Sequence, residues 1–205
     1  MGLTAKQIKD GLDAVGASDK RVAAELARIG YPEPRLRDRG YKTLLRTIVG
    51  QQVSVAAATS MWNKLEAELG AEFTPSCLLE RDFDTLRACG LSRQKQGYAR
   101  SLCELVEAGE VDFNALPADD EEAIEHLTRI KGIGRWSAEI YLLFAEGRAD
   151  MWPAGDLAVQ EGVKRLLDME ERPKEKELRE IGERWRPHRG PMAIFTWHFY
   201  ANPAL

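Results

Sequence analysis

The sequence predicts an all-α protein, on three observations. Apolar residues recur at helical spacing in "RVAAELARIG" (21–30), "KTLLRTIVGQQVSVAAATSMWNKLEAEL" (42–69), "GYARSLCELVEAG" (97–109) and "DEEAIEHLTRI" (120–130). No run of β-branched residues sustains the period of two that a half-buried strand requires. Punctuation is frequent: "GYPEPRLRDRG" (30–40), "GAEFTPS" (70–76), "CGLS" (89–92), "GEVDFNALPADD" (109–120), "GRADMWPAGD" (147–156), "ERPKE" (171–175) and "RPHRGP" (186–191) cut the chain into about ten to twelve short helices.

The 205 residues suffice for one domain or two small ones, and a hydrophobic content of 44% suits a globular core. Twenty-nine basic against 33 acidic side chains leave a net charge of −4, so no global field draws the protein to nucleic acid and any phosphate binding must be local. Local patches exist. Five bases and one acid lie between Arg35 and Arg46, and "RQKQGYAR" (93–100) and "RIKGIGR" (129–135) add three bases each without an acid; such patches can line one groove. Cys77, Cys89 and Cys103 are odd in number and lack the CxxC spacing of a zinc or iron–sulfur site. The start "MGLTAKQIKDGLDAVG" has no signal-peptide core, and no apolar run is long enough to span a membrane. A reduced, cytoplasmic compartment is the expectation.

"PADDEEAIEHLTRIK" (117–131) reads as a helix with acids in its first turn, suited to the positive end of the helix dipole, and with Ile124, Leu127 and Ile130 on one face. "RWSAEIYLLFAEG" (135–147) reads as a second helix stopped at Gly147. The tight turn between them sets Gly132 and Gly134 where left-handed backbone angles and close approach are tolerated, while amides at the start of the second helix point outward as anion donors. Arg129, Lys131 and Arg135 flank the turn as a backbone-phosphate contact requires. A plain chain reversal explains the glycines equally. Asp156 follows "PAG" and precedes "LAVQEGVKRLL" (157–167), a further helix, so its carboxylate falls at the N-cap. Capping alone accounts for it; a helix start also favours the ionised form, which suits stabilisation of a developing positive charge.

The order helix, "KGIGRW" (131–136), helix, loop, "PAGD" (153–156) resembles the helix-hairpin-helix, Gly/Pro-rich loop and aspartate of the base-excision DNA glycosylase superfamily. Within it, "TLLRTIVGQQVSVAAA" (43–58), "IKGIGRWSAEIYLLFA" (130–145), "PAGDLAVQ" (153–160) and "ERWRPHRGPMAIFTWHFY" (183–200) resemble the DNA-3-methyladenine glycosylase II family. The resemblance implies two helical subdomains flanking an active-site cleft, one from residues 38–150 and ending in the hairpin, the other from 1–37 and 151–205. The additional N-terminal α/β domain of well-known bacterial members is expected to have no counterpart here, which affects the expected substrate range and some DNA contacts.

For function, the resemblance implies a monofunctional glycosylase that flips alkylated, cationic purines such as 3-methyladenine and 7-methylguanine out of double-stranded DNA and hydrolyses the glycosidic bond. Relatives that also cut the backbone carry a lysine two residues beyond the second hairpin glycine; here Trp136 stands there. Asp156 takes the catalytic role. Trp136, Ile140 and Trp197 line the base pocket, although either tryptophan can be core, and an indole face suits a cationic base. Gln52 is the wedge that fills the vacated stack, with Gln51 as its alternative, and Lys131, Gly132, Ile133, Gly134 and Arg135 hold the strand. No cofactor or metal is implied beyond a monovalent cation on hairpin carbonyls near Thr128 and Ile133. A monomer is expected, with no membrane partner, and nucleoid association if the source is bacterial. A non-enzymatic hairpin module, a helical interaction scaffold and a glycosylase for another damaged or mispaired base are the rival readings.

Overall fold

The computed structural model describes residues 2–202, and among these it is helical throughout, without a strand. In chain order the helices are α1 (Ala5–Ser18), α2 (Lys20–Ile29), α3 (Tyr41–Gly50), α4 (Val55–Leu69), α5 (Pro75–Leu79), α6 (Phe83–Ala88), α7 (Arg93–Glu107), α8 (Asp120–Thr128), α9 (Arg135–Tyr141), α10 (Leu157–Leu166), α11 (Glu175–Gly182) and α12 (Arg189–Ala201). A π-helical turn (Leu142–Glu146) continues α9, and a 3₁₀ turn (Glu183–Trp185) follows α11. Side chains fix many of the starts. Thr4 and Gln7 form a capping box on α1, and Asp19, Ser54, Asp82, Ser92, Asp119 and Asp156 each accept backbone N–H groups of the helix they open. No helix among the described residues is long and apolar enough to cross a membrane.

The chain forms two compact units. Met1–Asp38 joins Glu139–Leu205 in one, and Arg39–Ala138 makes the other. In the first, α12 is buried almost all round, with Gly190 to Trp197 packed on α1 and α10. A Cβ on Gly162 of α10 would lie 2.4 Å from Thr196 Cγ2 and 2.9 Å from its carbonyl oxygen, so glycine there lets the two helices approach closely. That approach sets the start of α10, where Asp156 stands, against the helix that carries Trp197. In the second unit, α3 packs on α4 and α7 through Leu44, Leu45, Ile48, Leu65, Ala99 and Leu102, all fully buried.

Two expectations change. The second boundary falls at Ala138, not at 150, inside α9. From Glu139 onward the chain packs within the first unit: Glu139 pairs with Arg179, and Phe144 packs at a tilt against Trp197 with ring centroids 5.6 Å apart. Helical periodicity runs unbroken across that point, so the sequence marks no change there. The helix expected over 135–147 also loosens into the π turn before ending, as expected, at the left-handed Gly147. There the Phe144 carbonyl accepts the Arg37 N–H at 2.9 Å, a partner from outside the helix.

Candidate functional site

The hairpin between α8 and α9 is built on Ile124, Leu127, Ile130 and Ile133, all buried. Its two glycines differ. Gly132 has a φ of 81°, and a Cβ there would lie 2.2 Å from the Tyr98 ring, so the fold itself demands glycine. Gly134 lies outside the left-handed region, and a Cβ there would meet nothing within 4 Å. Nothing inside the protein requires it. Neither the Gly132 nor the Gly134 amide donates to another described residue, whereas the Ile133 N–H is spent on the Ile130 carbonyl and that of Lys131 on Ser101 Oγ. The two glycine amides are therefore left without an acceptor among the described residues. The Ile133 side chain is buried and serves the core.

The basic flank is only partly available. Arg135 makes a two-pronged pair with Glu121 at 2.7 and 2.5 Å, and Arg129 pairs with Glu110. Lys131 is exposed, and its ammonium has no carboxylate partner among the described residues. Pairs at this exposure contribute about 0–1 kcal/mol, little enough for a phosphate to displace the acid. In the patch at 93–100, Lys95 donates to the Val49 carbonyl at 2.7 Å, with burial pulling its ammonium below the usual lysine value, and Arg100 ties down the carbonyls of Leu79 and Arg81. These two serve the fold, and Arg93, the third base of the patch, lies over the Phe83 ring.

Between α3 and α4 the two glutamines separate. Gln51 donates its side-chain amide to the Gly132 carbonyl at 2.8 Å, pinning this turn to the hairpin. Gln52 is exposed with a φ of 56°, a left-handed conformation that costs a residue other than glycine about 1–3 kcal/mol and is held only where the surroundings enforce it.

In the other unit, Asp156 is half-buried at the N-cap of α10. Three donors converge on its Oδ1: the Ala158 and Val159 amides at 2.9 and 3.0 Å, and the Trp197 indole N–H at 3.0 Å. Gln160 returns its side-chain amide to the Ala154 carbonyl, fixing the loop before the aspartate.

The aromatic expectations divide. Trp136 is 44% exposed and offers an indole surface, while Trp152 and Trp185 are core and meet edge to face with ring centroids 5.3 Å apart. Ile140 is 6% exposed, because α9 is buried from Ser137 onward. Trp197, 9% exposed between Phe144 and the Arg35 guanidinium, donates its indole N–H to Asp156 and shows little open ring surface.

The family model for HhH-GPD superfamily base excision DNA repair proteins matches residues 45–187. The chain belongs to the HhH-GPD superfamily. DNA-3-methyladenine glycosylase 1 of Schizosaccharomyces pombe is 33% identical over 161 residues, 77% of this chain and 71% of that protein. Among solved structures, a DNA-3-methyladenine glycosidase from Bacillus halodurans is 33% identical with a TM-score of 0.85, over 91% of this chain and 87% of that one. The S. pombe 3-methyladenine DNA glycosylase in complex with abasic DNA is 29% identical with a TM-score of 0.80, over 92% and 95%. The span matched to the HhH-GPD family holds the hairpin, the glutamine turn and Asp156, and stops short of Trp197.

Sequence reasoning missed the supports of this HhH-GPD site. Tyr98 and Ser101 of α7 underlie the hairpin, and Glu110 and Glu121 neutralise its arginines, yet all four lie about ten to thirty residues from the motif, where no local pattern links them to it.

Proposed function

We propose that the chain is a monofunctional DNA glycosylase that removes alkylated, cationic purines from double-stranded DNA, acting as a monomer. The observation that carries the reading is the Asp156 carboxylate, fixed by three donors on one oxygen within the HhH-GPD motif order. The names of its relatives support the substrate class, and the abasic DNA in the S. pombe complex supports the product.

The target nucleotide rotates out of the duplex at a cost of a few kcal/mol, least for a damaged base. The Gly132 and Gly134 amides and Lys131 hold the strand by phosphate, Arg135 joins them by exchanging Glu121 for phosphate, and Gln52 enters the vacated stack. The exposed indole of Trp136 takes the extruded base; a cation over such a face gains about 0.5–2 kcal/mol. The alkylated purine leaves with the bonding electron pair and becomes neutral, so no leaving-group acid is required. The positive charge passes to the sugar, where the Asp156 carboxylate stabilises it. Water adds at C1′ and gives up a proton, leaving an abasic site. With Trp136 at the position of the lyase lysine, no imine to the sugar forms.

The chemistry needs no cofactor. The carbonyls of Thr128 and Ile133 accept no hydrogen bond from described residues and fit a monovalent cation, which would add positive charge beside the phosphate. The deciding experiment incubates the protein with methylated duplex DNA and scores free 3-methyladenine and 7-methylguanine, with borohydride added in parallel. Base release without a trapped adduct is expected. Tight DNA binding with no base released would leave only a hairpin module, and a trapped adduct would reject the monofunctional assignment.

A further inference from the structure

We infer that Arg35 and Arg37 form a second phosphate-binding element, a strap that takes up the DNA backbone in the unit that carries Asp156. The inference rests on the glycosylase reading above and names a contact outside the hairpin. Residues 30–39 are non-helical between α2 and α3, and Pro32 and Pro34 favour an extended course. In extended chain, residues two apart project to the same side.

Both guanidiniums lie over rings of the Asp156 unit: Arg35 is 5.5 Å from the Trp197 centroid and Arg37 is 5.8 Å from that of Phe144, two rings that pack on each other. The Arg37 backbone is anchored by its N–H on the Phe144 carbonyl at 2.9 Å. Both residues are exposed, and neither has a carboxylate partner among the described residues, unlike Arg129 and Arg135 at the hairpin. Burial and the neighbouring Arg35 charge pull Arg37 below the usual guanidinium value, as two like charges held close without an anion require.

A guanidinium resting its flat face on a ring keeps its N–H groups in plane, turned outward for two-pronged contact with an oxyanion. The same strap leaves Leu36 59% exposed, so it forms no part of the core. The anion that matches two arginines beside the indole holding Asp156 is a phosphodiester of the strand whose sugar that aspartate serves.

The test measures affinity for a labelled undamaged duplex against salt concentration for the wild type, Arg35→Gln/Arg37→Gln and Arg35→Lys/Arg37→Lys, with melting temperature as the folding control. Two lost phosphate contacts lower the slope of log Kd on log salt by about 1.8 in the glutamine pair, and the lysine pair restores most of it. An unchanged slope in the glutamine pair overturns the inference. An equal loss in both pairs also overturns it, because the arginines would then serve only to cover Trp197 and Phe144. Base release by the wild type is scored alongside: release with an unchanged glutamine slope rejects the strap alone, and a lowered slope without release rejects the glycosylase reading alone.

Discussion

Asp19 and Asp156 stand in the same unit, each half-buried, each the N-cap of a helix and each meeting a tryptophan N–H. At Asp19 the donors straddle the carboxylate: the Arg21 and Val22 amides reach Oδ1 at 3.1 and 3.5 Å, while Trp185 reaches Oδ2 at 3.3 Å. At Asp156 the two amides and Trp197 all load Oδ1, none longer than 3.0 Å. Capping is thus common to both and marks neither. At Asp19 the tryptophan takes the oxygen the amides leave, whereas at Asp156 the amides and the indole share one oxygen and fix its position together. The hairpin glycines repeat the lesson: Tyr98 and a left-handed backbone explain Gly132, and nothing inside the protein explains Gly134.

The largest effect expected from this contrast is in Asp156→Asn, which keeps a good cap but removes the charge; base release falls at least ~100-fold while duplex affinity stays within a few-fold. Asp19→Ala is its control. It lowers stability by about 1–3 kcal/mol, through the lost cap and the stranded Trp185 N–H, and leaves base release per folded molecule unchanged. Equal loss of release in both variants would erase the distinction between the two aspartates.

Next in size, Trp197→Phe keeps the ring and deletes the donor on Oδ1. A hydrogen bond to a charged group is worth about 1.5–3 kcal/mol, so single-turnover base release slows roughly 10- to 100-fold with little change in duplex binding. An unaffected rate would reduce Trp197 to packing. The smallest effect separates the glycines. Gly134→Ala leaves the melting temperature unchanged or slightly raised and weakens binding to damaged and undamaged duplex alike by a few-fold, whereas Gly132→Ala costs about 1–3 kcal/mol of stability. A destabilised Gly134→Ala protein would return that glycine to the fold.

The all-α class, the helix start at Asp156, and the hairpin with its apolar face were legible because each depends on residues within about four positions of one another. Long-range information was not. The boundary at Ala138 lies inside a continuous helical pattern, and the loss of Ile140 to the core depends on packing partners far along the chain.

By itself, the sequence determined the helices, the motif order and the identity of Asp156, since hydrogen bonding and apolar periodicity along one backbone are local properties. Tertiary packing alone decided which glutamine is bonded and which is exposed, which glycine the fold can explain, and that Trp197 grips the aspartate. These are contacts between residues 34 to 81 positions apart, or between side chains and space, and chain order carries no record of them until the helices pack.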